Sequence, residues 1–228
     1  MADAVDTSST FSGWIDPPPA IQPAATGELE CDVAVVGGGY TGMAAALRLV
    51  AGGADVALLE AEFCGWGASS RNAGHLTPTI VGDPQLLATV YRRRARELIR
   101  FADAAVHFTE GMIEGFGIDC EYEAVGNVSA ALSKGQLRRS ERNAEFLAGV
   151  GGEVEFVSGE AAGLPATFAG GILERAGGVL NPGRFARGLR EALLGTGAAV
   201  HEGAPVTRLE RRGSRFELVA GAARVRAG

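Results

Sequence analysis

The alternation of apolar and polar segments is clearest between Cys31 and Glu60, in "CDVAVVGGGYTGMAAALRLVAGGADVALLE". A short apolar run that leads into three glycines predicts a strand followed by a turn. The stretch from about Thr41 to Ala51 is rich in Ala, Leu and Met, which favour helix, and two glycines after it end the helix. A second apolar run predicts another strand, so we expect a βαβ unit with parallel strands.

A long helix is expected after Asp83, which can cap it, and Pro84, which suits the first helical position. The same periodicity places His107 on the apolar side of this helix, in the core or at a domain interface. The "RRRAR" segment should face water. The predicted apolar face contains Leu87, Val90, Tyr91, Leu98, Phe101 and Ala105.

The rest of the chain mixes helix and strand patterns. Strands are expected in "CEYEAVGNVSAAL" and "EVEFV", with a helix in "SKGQLRRSERNAEFLAGVGG" between them. The stretch "GGVLNPGRFARGLREALLGTGAAVHEG" predicts a helix that begins at a proline and ends at a glycine, followed by a short strand. Beyond it, "VTRLERRGSRFELVAGAARVRAG" predicts a meander of strands joined by glycine turns.

Composition narrows the class of protein. A chain of 228 residues that is 46% hydrophobic can bury a sizeable core. The net charge of -6 argues against nucleic acid as a partner, because phosphates require a basic face. Cys31, Cys64 and Cys120 match neither a disulfide framework nor metal-ligand spacing. With no apolar run of transmembrane length and no signal-peptide pattern, we expect a soluble cytoplasmic protein without a metal.

Three glycines in the first turn form the pattern G-x-G-x-x-G, at Gly37, Gly39 and Gly42. Among 34 glycines the spacing alone is weak, and a purely structural turn is the alternative. The pattern here follows a strand and opens a helix, and Glu60 ends the next strand, which together predict a dinucleotide site. Gly37 permits the tight turn, Gly39 admits the pyrophosphate and Gly42 allows close helix packing. Tyr40 and Thr41 are expected to hold phosphate and Glu60 the ribose hydroxyls.

A second polar loop, "GWGASSRNAG", follows the strand that ends at Glu60. A simple nicotinamide-binding site needs no second phosphate loop at this place. An FAD molecule lies extended across the sheet, so further backbone and hydroxyl donors along its pyrophosphate would be useful. The loop therefore favours FAD, and an NAD-dependent dehydrogenase is the alternative if the loop has no part in binding.

The segments "DVAVVGGGYTGMAAALRL" and "LLEAEFCGWGASSRNAG" resemble the FAD-dependent amine and amino-acid oxidases, the D-amino-acid oxidase-like family. Within it they are most similar to the gamma-glutamylputrescine oxidase-like branch, whose loop typically reads Gly-x-Gly-Ala-Ser-Gly-Arg-Asn-x-Gly. The similarity covers most of residues 31–75 and 176–212. Ser70 stands where the family usually has glycine, and its side chain would be strained if the backbone there had positive φ.

The resemblance implies roles for individual residues. Val206 would present its backbone to the adenine. His75 would lie beside the flavin as a hydrogen-bonding neighbour, with a covalent link to the flavin as the alternative. The residues that would line the pyrophosphate and the approach to the flavin ring are Gly67, Ala68, Ser69, Ser70, Arg71, Asn72 and Gly74.

For the fold, the resemblance implies an α/β protein: a Rossmann-like FAD-binding domain with an inserted mixed α+β substrate region. We expect an N-terminal arm or leader at residues 1–30, the first part of the FAD domain at 31–80, the insertion at 81–175 and an incomplete second part at 176–228. The arm is predicted because its sequence lacks any periodicity.

The implied activity is FAD-dependent oxidation of the C–N bond of an amine or amino acid to an imine, with oxygen or another acceptor reoxidising the flavin. No catalytic residue can be named. A non-catalytic or incomplete FAD-binding fragment, working in a homo-oligomer or with a partner chain, is the alternative. Because the family continues into another strand of the cofactor sheet, we expect the 228 residues alone to bind FAD weakly and not to turn over amines.

Overall fold

The computed structural model describes residues 14, 17–79, 84, 89–91 and 93–228, which form two compact units. Unit 1 contains the described part of Met1–Ala73 with Ile118–Cys120 and Asn181–Gly228, and unit 2 contains the described parts of Gly74–Gly117 and Glu121–Leu180. In chain order the described elements are β1 (Thr26–Cys31), β2 (Val33–Val36), α1 (Tyr40–Ala51), β3 (Val56–Leu59), β4 (His75–Leu76), α2 (Ala95–Gly115), β5 (Asn127–Ala131), α3 (Lys134–Gly149), β6 (Val154–Ser158), β7 (Gly170–Glu174), β8 (Gly178–Val179), α4 (Pro182–Gly195), β9 (Ala199–His201), β10 (Val206–Arg212), β11 (Arg215–Ala220) and β12 (Ala222–Ala227).

A parallel sheet in unit 1 confirms the predicted βαβ unit. Its strand order is β2-β3-β9, and both pairs of neighbours are parallel. All four residues of β3 are buried, as expected for the central strand of a covered parallel sheet. Helix α1 connects β2 to β3 and buries Met43, Ala46 and Leu47. The carboxyl ends of the three strands therefore meet at one edge, where ligands bind in open α/β sheets.

The second sheet of unit 1 has the strand order β1-β12-β11-β10. Strands β10 to β12 form the predicted antiparallel meander. Strand β1 pairs in parallel with β12 from Thr26 to Cys31, so the last five residues of the predicted arm form an edge strand of this sheet. This segment is mostly exposed and has no apolar period, because it is an edge strand held by backbone hydrogen bonds to β12.

A shared core joins the two sheets of unit 1. Leu59 at the end of β3 packs with buried side chains of the meander, which include Leu218 and Val225. Small residues such as Ala220 and Ala223 let the backbones come close at this point. The meander therefore supports the end of the strand that leads directly to Glu60.

Unit 2 contains an antiparallel sheet of order β5-β7-β6 and the short pair β4-β8. Helix α3 confirms the helix predicted there. It begins with a capping box, in which the Ser133 hydroxyl accepts from the N–H of Gln136 while the Gln136 side chain accepts from the N–H of Ser133. None of the described helices is long and apolar enough to cross a bilayer.

The predicted face of α2 is wrong. Phe101 is 74% exposed and Ala105 is also exposed, while the helix buries Ala95, Ile99, Asp103, Val106 and Met112. Apolar side chains lie on both sides of this helix, so its sequence does not define the face that packs. Asp83 and Leu87 lie outside the described residues.

The prediction that His107 lies in the core is also wrong, and its alternative placement at a domain interface stays a prediction. Its side chain is 51% exposed and pairs with Glu110 at 2.9 Å and Glu153 at 3.4 Å. Attraction to these two carboxylates explains its position at the surface of unit 2.

Candidate dinucleotide-binding site

The glycine turn between β2 and α1 requires glycine at its first and last motif positions. Gly37 has a φ of 100°, in the left-handed region that other residues avoid, and its N–H donates to the Leu59 carbonyl at 2.9 Å. A Cβ atom on Gly42 would lie 1.9 Å from the carbonyl oxygen of Gly37. The first turn of α1 therefore packs directly on the turn before it.

Gly39 differs from these two glycines because its surroundings are open. A Cβ atom there would approach only the Ser69 hydroxyl, at 3.1 Å. Its φ of -78° is one that any residue adopts. The backbone therefore does not require a glycine here, and packing requires only that the Ser69 hydroxyl give way slightly, whereas a ligand that approaches the backbone would require one.

The N-terminus of α1 carries donors suited to an anion. Its N-cap, Gly39, has no side chain, and the first turn contains no acidic residue. The first N–H groups of a helix have no acceptor within the helix, and the helix dipole adds positive potential there. The N–H of Tyr40 donates to the Ser69 hydroxyl at 3.0 Å. This donor set fits a pyrophosphate.

Glu60 lies directly after β3 and is half-buried. One carboxylate oxygen accepts from the N–H of Gly38 at 2.6 Å, and the other accepts from the N–H of Glu62 at 2.9 Å. An ionised carboxylate has about four acceptor positions, so it retains capacity for ribose hydroxyls. Sequence reasoning missed the second role, in which Glu60 holds the middle of the glycine turn.

The loop after β3 is built from its own polar side chains. Ala68–Ser70 form a single 3-10 turn. The side-chain amide of Asn72 donates to the carbonyls of Ser69 at 2.9 Å and Ala68 at 3.3 Å. These bonds fix the path of the loop where it approaches the first turn of α1.

Arg71 folds back onto the same loop. Its guanidinium donates to the carbonyls of Trp66 and Gly67 and lies 4.4 Å from the centre of the Trp66 ring. The arginine charge is thus held on the loop by hydrogen bonds and a cation–π contact.

Ser70 does not have the strained backbone that the missing family glycine suggested. It is buried within the 3-10 turn. Among the described residues only Glu121, in unit 2, combines a side chain with positive φ. The serine is therefore accommodated without backbone strain.

The Tyr40 side chain contacts α4. Its hydroxyl donates to the carbonyl of Pro182 at 2.8 Å, and its ring lies 4.9 Å from the ring of Phe185. Burial raises the pKa of Tyr40 to about 12, although a hydrogen bond from Asn72 opposes the shift. Only the backbone of Tyr40 faces the glycine turn, and neighbouring Thr41 is exposed.

The remaining predicted residues are Val206, Gly74 and His75. Val206 begins β10 and packs against the core that contains Leu59. Gly74 and His75 belong to unit 2, where the His75 ring lies 3.2 Å from the side-chain oxygen of Asn127. Their roles toward a cofactor stay predictions.

Sequence reasoning missed a buried ion pair between Arg190 on α4 and Glu202 after β9. The guanidinium donates to both carboxylate oxygens, at 2.8 and 2.7 Å, and Glu202 has no exposed surface. No motif marks either residue. Only the tertiary fold of unit 1 brings them together.

Comparison with known proteins decides the family. The profile of the DAO family, described as FAD dependent oxidoreductase, matches residues 32–227. The chain belongs to this family. The resemblance seen in its two glycine-containing loops is thereby confirmed, and so is the predicted α/β fold.

This DAO-family chain is similar to several named oxidoreductases. It is 32% identical over 187 residues to gamma-glutamylputrescine oxidoreductase of Escherichia coli, covering 80% of this chain and 44% of the relative. It is 32% identical over 198 residues to the probable oxidoreductase OrdL of Rhizobium meliloti, covering 84% and 46%. Among solved structures, glycine oxidase from Geobacillus kaustophilus matches with a TM-score of 0.67 and 25% identity, over 87% of this chain and 54% of that one. The chain thus spans less than half the length of these two curated relatives.

Proposed function

We propose that this chain is an FAD-dependent oxidoreductase that oxidises the C–N bond of an amine or amino acid to an imine. The hydrogen bond from the N–H of Tyr40 to the Ser69 hydroxyl supports this most directly. It brings the loop after β3 against the glycine turn, so one ligand could contact both loops. A nicotinamide site of the simple kind would use the first turn alone.

Each part of the proposed site suits one part of FAD. The N-terminus of α1 and the open backbone at Gly39 would hold the pyrophosphate. Glu60 would accept hydrogen bonds from the adenosine ribose, and its charge would repel a 2'-phosphate. The loop Ala68–Ser70 would add donors along the pyrophosphate, and the backbone of Val206 would contact the adenine. FAD, when bound, supplies the acceptor for a hydride equivalent from the carbon that bears nitrogen.

The substrate class rests on the relatives. One is named for gamma-glutamylputrescine, an amine, and another for glycine, an amino acid. We therefore propose an amine or amino acid as substrate and oxygen or another acceptor for reoxidation of the flavin.

We also propose a cytoplasmic location. The thiols of Cys31 and Cys64 donate to the Arg226 carbonyl and to the Glu202 carboxylate, and such reduced thiols suit the cytoplasm.

The open edge of the parallel sheet favours a second candidate, an FAD-binding part that needs further polypeptide for turnover. Among the described residues β2 pairs only with β3, and Val36 at its end is 55% exposed. An unpaired edge is a place where another strand can add. Under this alternative the glycine turn binds FAD, but amines do not reduce it.

A flavin titration separates these candidates. The purified chain is titrated with FAD, and binding is followed by the change in flavin fluorescence, with NAD as competitor. Saturable one-to-one binding that NAD does not reverse supports the FAD site, and absence of FAD binding contradicts it. Anaerobic bleaching by a panel of amines and amino acids then distinguishes the oxidase from the binding part alone.

A further inference from the structure

The Glu202 carboxylate accepts hydrogen bonds from three other segments of unit 1. Besides Arg190, it accepts from the N–H of Gln22 at 2.6 Å and from the N–H of Cys64 at 2.8 Å. Arg190 in turn donates to the carbonyl of Ala20 at 3.0 Å. The pair therefore ties together the segment before β1, the loop after β3, helix α4 and the loop after β9.

Breaking this buried ion pair would leave an unpaired charge inside unit 1. Two charges removed from water are stable only when the geometry is good and the remaining acceptor positions are used, as they are here. Burial raises the pKa of Glu202, but hydrogen bonds from Arg190 and from backbone N–H groups outweigh it and bring the pKa below its ordinary value. Burial also raises the pKa of the neighbouring Cys64 thiol, which stays protonated and donates to Glu202.

The contact at Cys64 leads directly to the glycine turn. The N–H of the next residue, Gly65, donates to the carbonyl of Gly38 at 2.8 Å. A Cβ atom on Gly38 would lie 2.6 Å from the Cys64 sulfur and 3.0 Å from the Cys64 Cα, so the two backbones are in close contact. Gly38 also donates its N–H to Glu60. The middle of the turn is thus held on one side by Glu60 and on the other by the Cys64–Gly65 peptide.

We propose that Arg190 and Glu202 are positioning residues for the dinucleotide turn: the pair holds the Cys64–Gly65 peptide against Gly38 and thereby sets the affinity for FAD. The effect on FAD rests on the function proposed above. Among the described residues, the hydrogen bonds of the two side chains do not reach the turn itself, and their link to it runs through the N–H of Cys64. Breaking the pair should therefore weaken FAD binding by more than the accompanying loss of overall stability explains.

The substitution Glu202→Gln tests this with little change in shape. Glutamine can still accept from the N–H of Cys64, but its amide group faces the Arg190 guanidinium, donor against donor. Arg190→Lys is the second variant; it keeps the charge and loses the two-bonded geometry. Leu193→Ala is the matched control, because Leu193 is fully buried on the same helix, α4, and has no hydrogen bond to the loop after β3.

Two quantities are measured on the apo chain and its variants, at a temperature where all are folded: the dissociation constant for FAD and the amide exchange rates of Cys64 and Gly65. We expect Glu202→Gln and Arg190→Lys to raise both by about tenfold or more, the scale of one charge-assisted hydrogen bond. Leu193→Ala should lower the melting temperature with less than about a threefold change in FAD affinity, because it leaves the turn in place.

Each outcome separates the two proposals. If the parent binds FAD and both pair variants match it, or if Leu193→Ala weakens FAD as much at equal loss of stability, the positioning role is wrong. If the parent binds no FAD, the proposed function is wrong for this chain, and exchange at Gly65 decides whether the pair positions the turn. Unchanged amide exchange at Cys64 and Gly65 in either pair variant overturns the proposal. If Glu202→Gln does not fold, Arg190→Lys alone therefore still decides the question.

Discussion

The hydroxyl of Ser69 accepts a hydrogen bond from the backbone N–H of Tyr40 at 3.0 Å. This single contact joins the two loops in which the sequence predicted phosphate contacts. It occupies the first N–H of α1 with a serine and leaves the following ones directed outward from the helix end. The serine thus orders the turn while the helix terminus stays suited to an anion.

We expect Ser69→Ala to weaken FAD binding by about fivefold to tenfold, because a neutral hydrogen bond contributes about 1 kcal/mol. The dissociation constant from a flavin fluorescence titration measures the effect. Ser214→Ala, in the exposed turn between β10 and β11, is the matched control and should bind FAD like the parent. Equal affinity in Ser69→Ala would show that the bond between the loops is irrelevant to binding.

Gly39 and Gly42 should respond differently to substitution. Gly39→Val should abolish FAD binding while the protein stays folded, because the new side chain covers the backbone that the pyrophosphate approaches and only the Ser69 hydroxyl has to shift. Gly42→Ala should both abolish FAD binding and lower the melting temperature, because its Cβ atom would lie 1.9 Å from the carbonyl oxygen of Gly37. Thermal unfolding and flavin content of the two variants check this. Normal flavin content in Gly39→Val would contradict the assignment of the pyrophosphate to the glycine turn.

Removing the Glu60 carboxylate should weaken FAD by more than a ribose contact alone explains. Glu60→Ala loses both the ribose hydrogen bonds and the bond from Gly38, and charge-assisted bonds contribute about 1.5 to 3 kcal/mol each. Glu60→Gln keeps a neutral acceptor, so its affinity for FAD should lie between those of Glu60→Ala and the parent. Titration of all three with FAD gives the order, and identical affinities would show that Glu60 does not face the cofactor.

His107 should make unit 2 more stable in mild acid. A hydrogen bond to Glu110 raises the pKa of His107; burial opposes the shift, and Glu153 supports it. A folded-state pKa above the unfolded value gives stability that is fully present below about pH 6.5 and is lost as the pH rises through the folded-state pKa. Thermal unfolding of the parent and His107→Gln across this range should converge at high pH. The effect should be small because the side chain is half exposed, and parallel curves at all pH values would contradict it.

Asp103→Asn should stabilise the protein near neutral pH. Burial raises the pKa of Asp103, and the nearby Glu153 carboxylate adds to the shift. The folded-state pKa therefore lies above the unfolded one, so stability falls as the pH rises through the interval between them and stays lower above it. Asparagine removes this cost and can still accept the hydrogen bond from the N–H of Glu153. A higher melting temperature at neutral pH, with no gain in acid, is the expected result, and equal curves would show that the charge costs nothing.

The sequence by itself determined the local parts of the site. The βαβ unit followed from the apolar pattern and glycine punctuation, because both act over a few neighbouring residues. Positive φ at Gly37 and close packing at Gly42 followed from the spacing of the glycines. The polar loop "GWGASSRNAG" pointed to FAD and to the family for the same reason, since its donors are consecutive in the chain.

Only the tertiary structure decided which distant segments meet. Strand β1 has no apolar period, and its pairing with β12 depends on backbone hydrogen bonds that any residue can make. Helix α2 has apolar residues on two sides, so the surface it packs against, and not its sequence, decided that Phe101 stays exposed. Arg190 and Glu202 carry no motif, and their charges are stable inside the protein only because folding places both against Cys64 and the segment before β1.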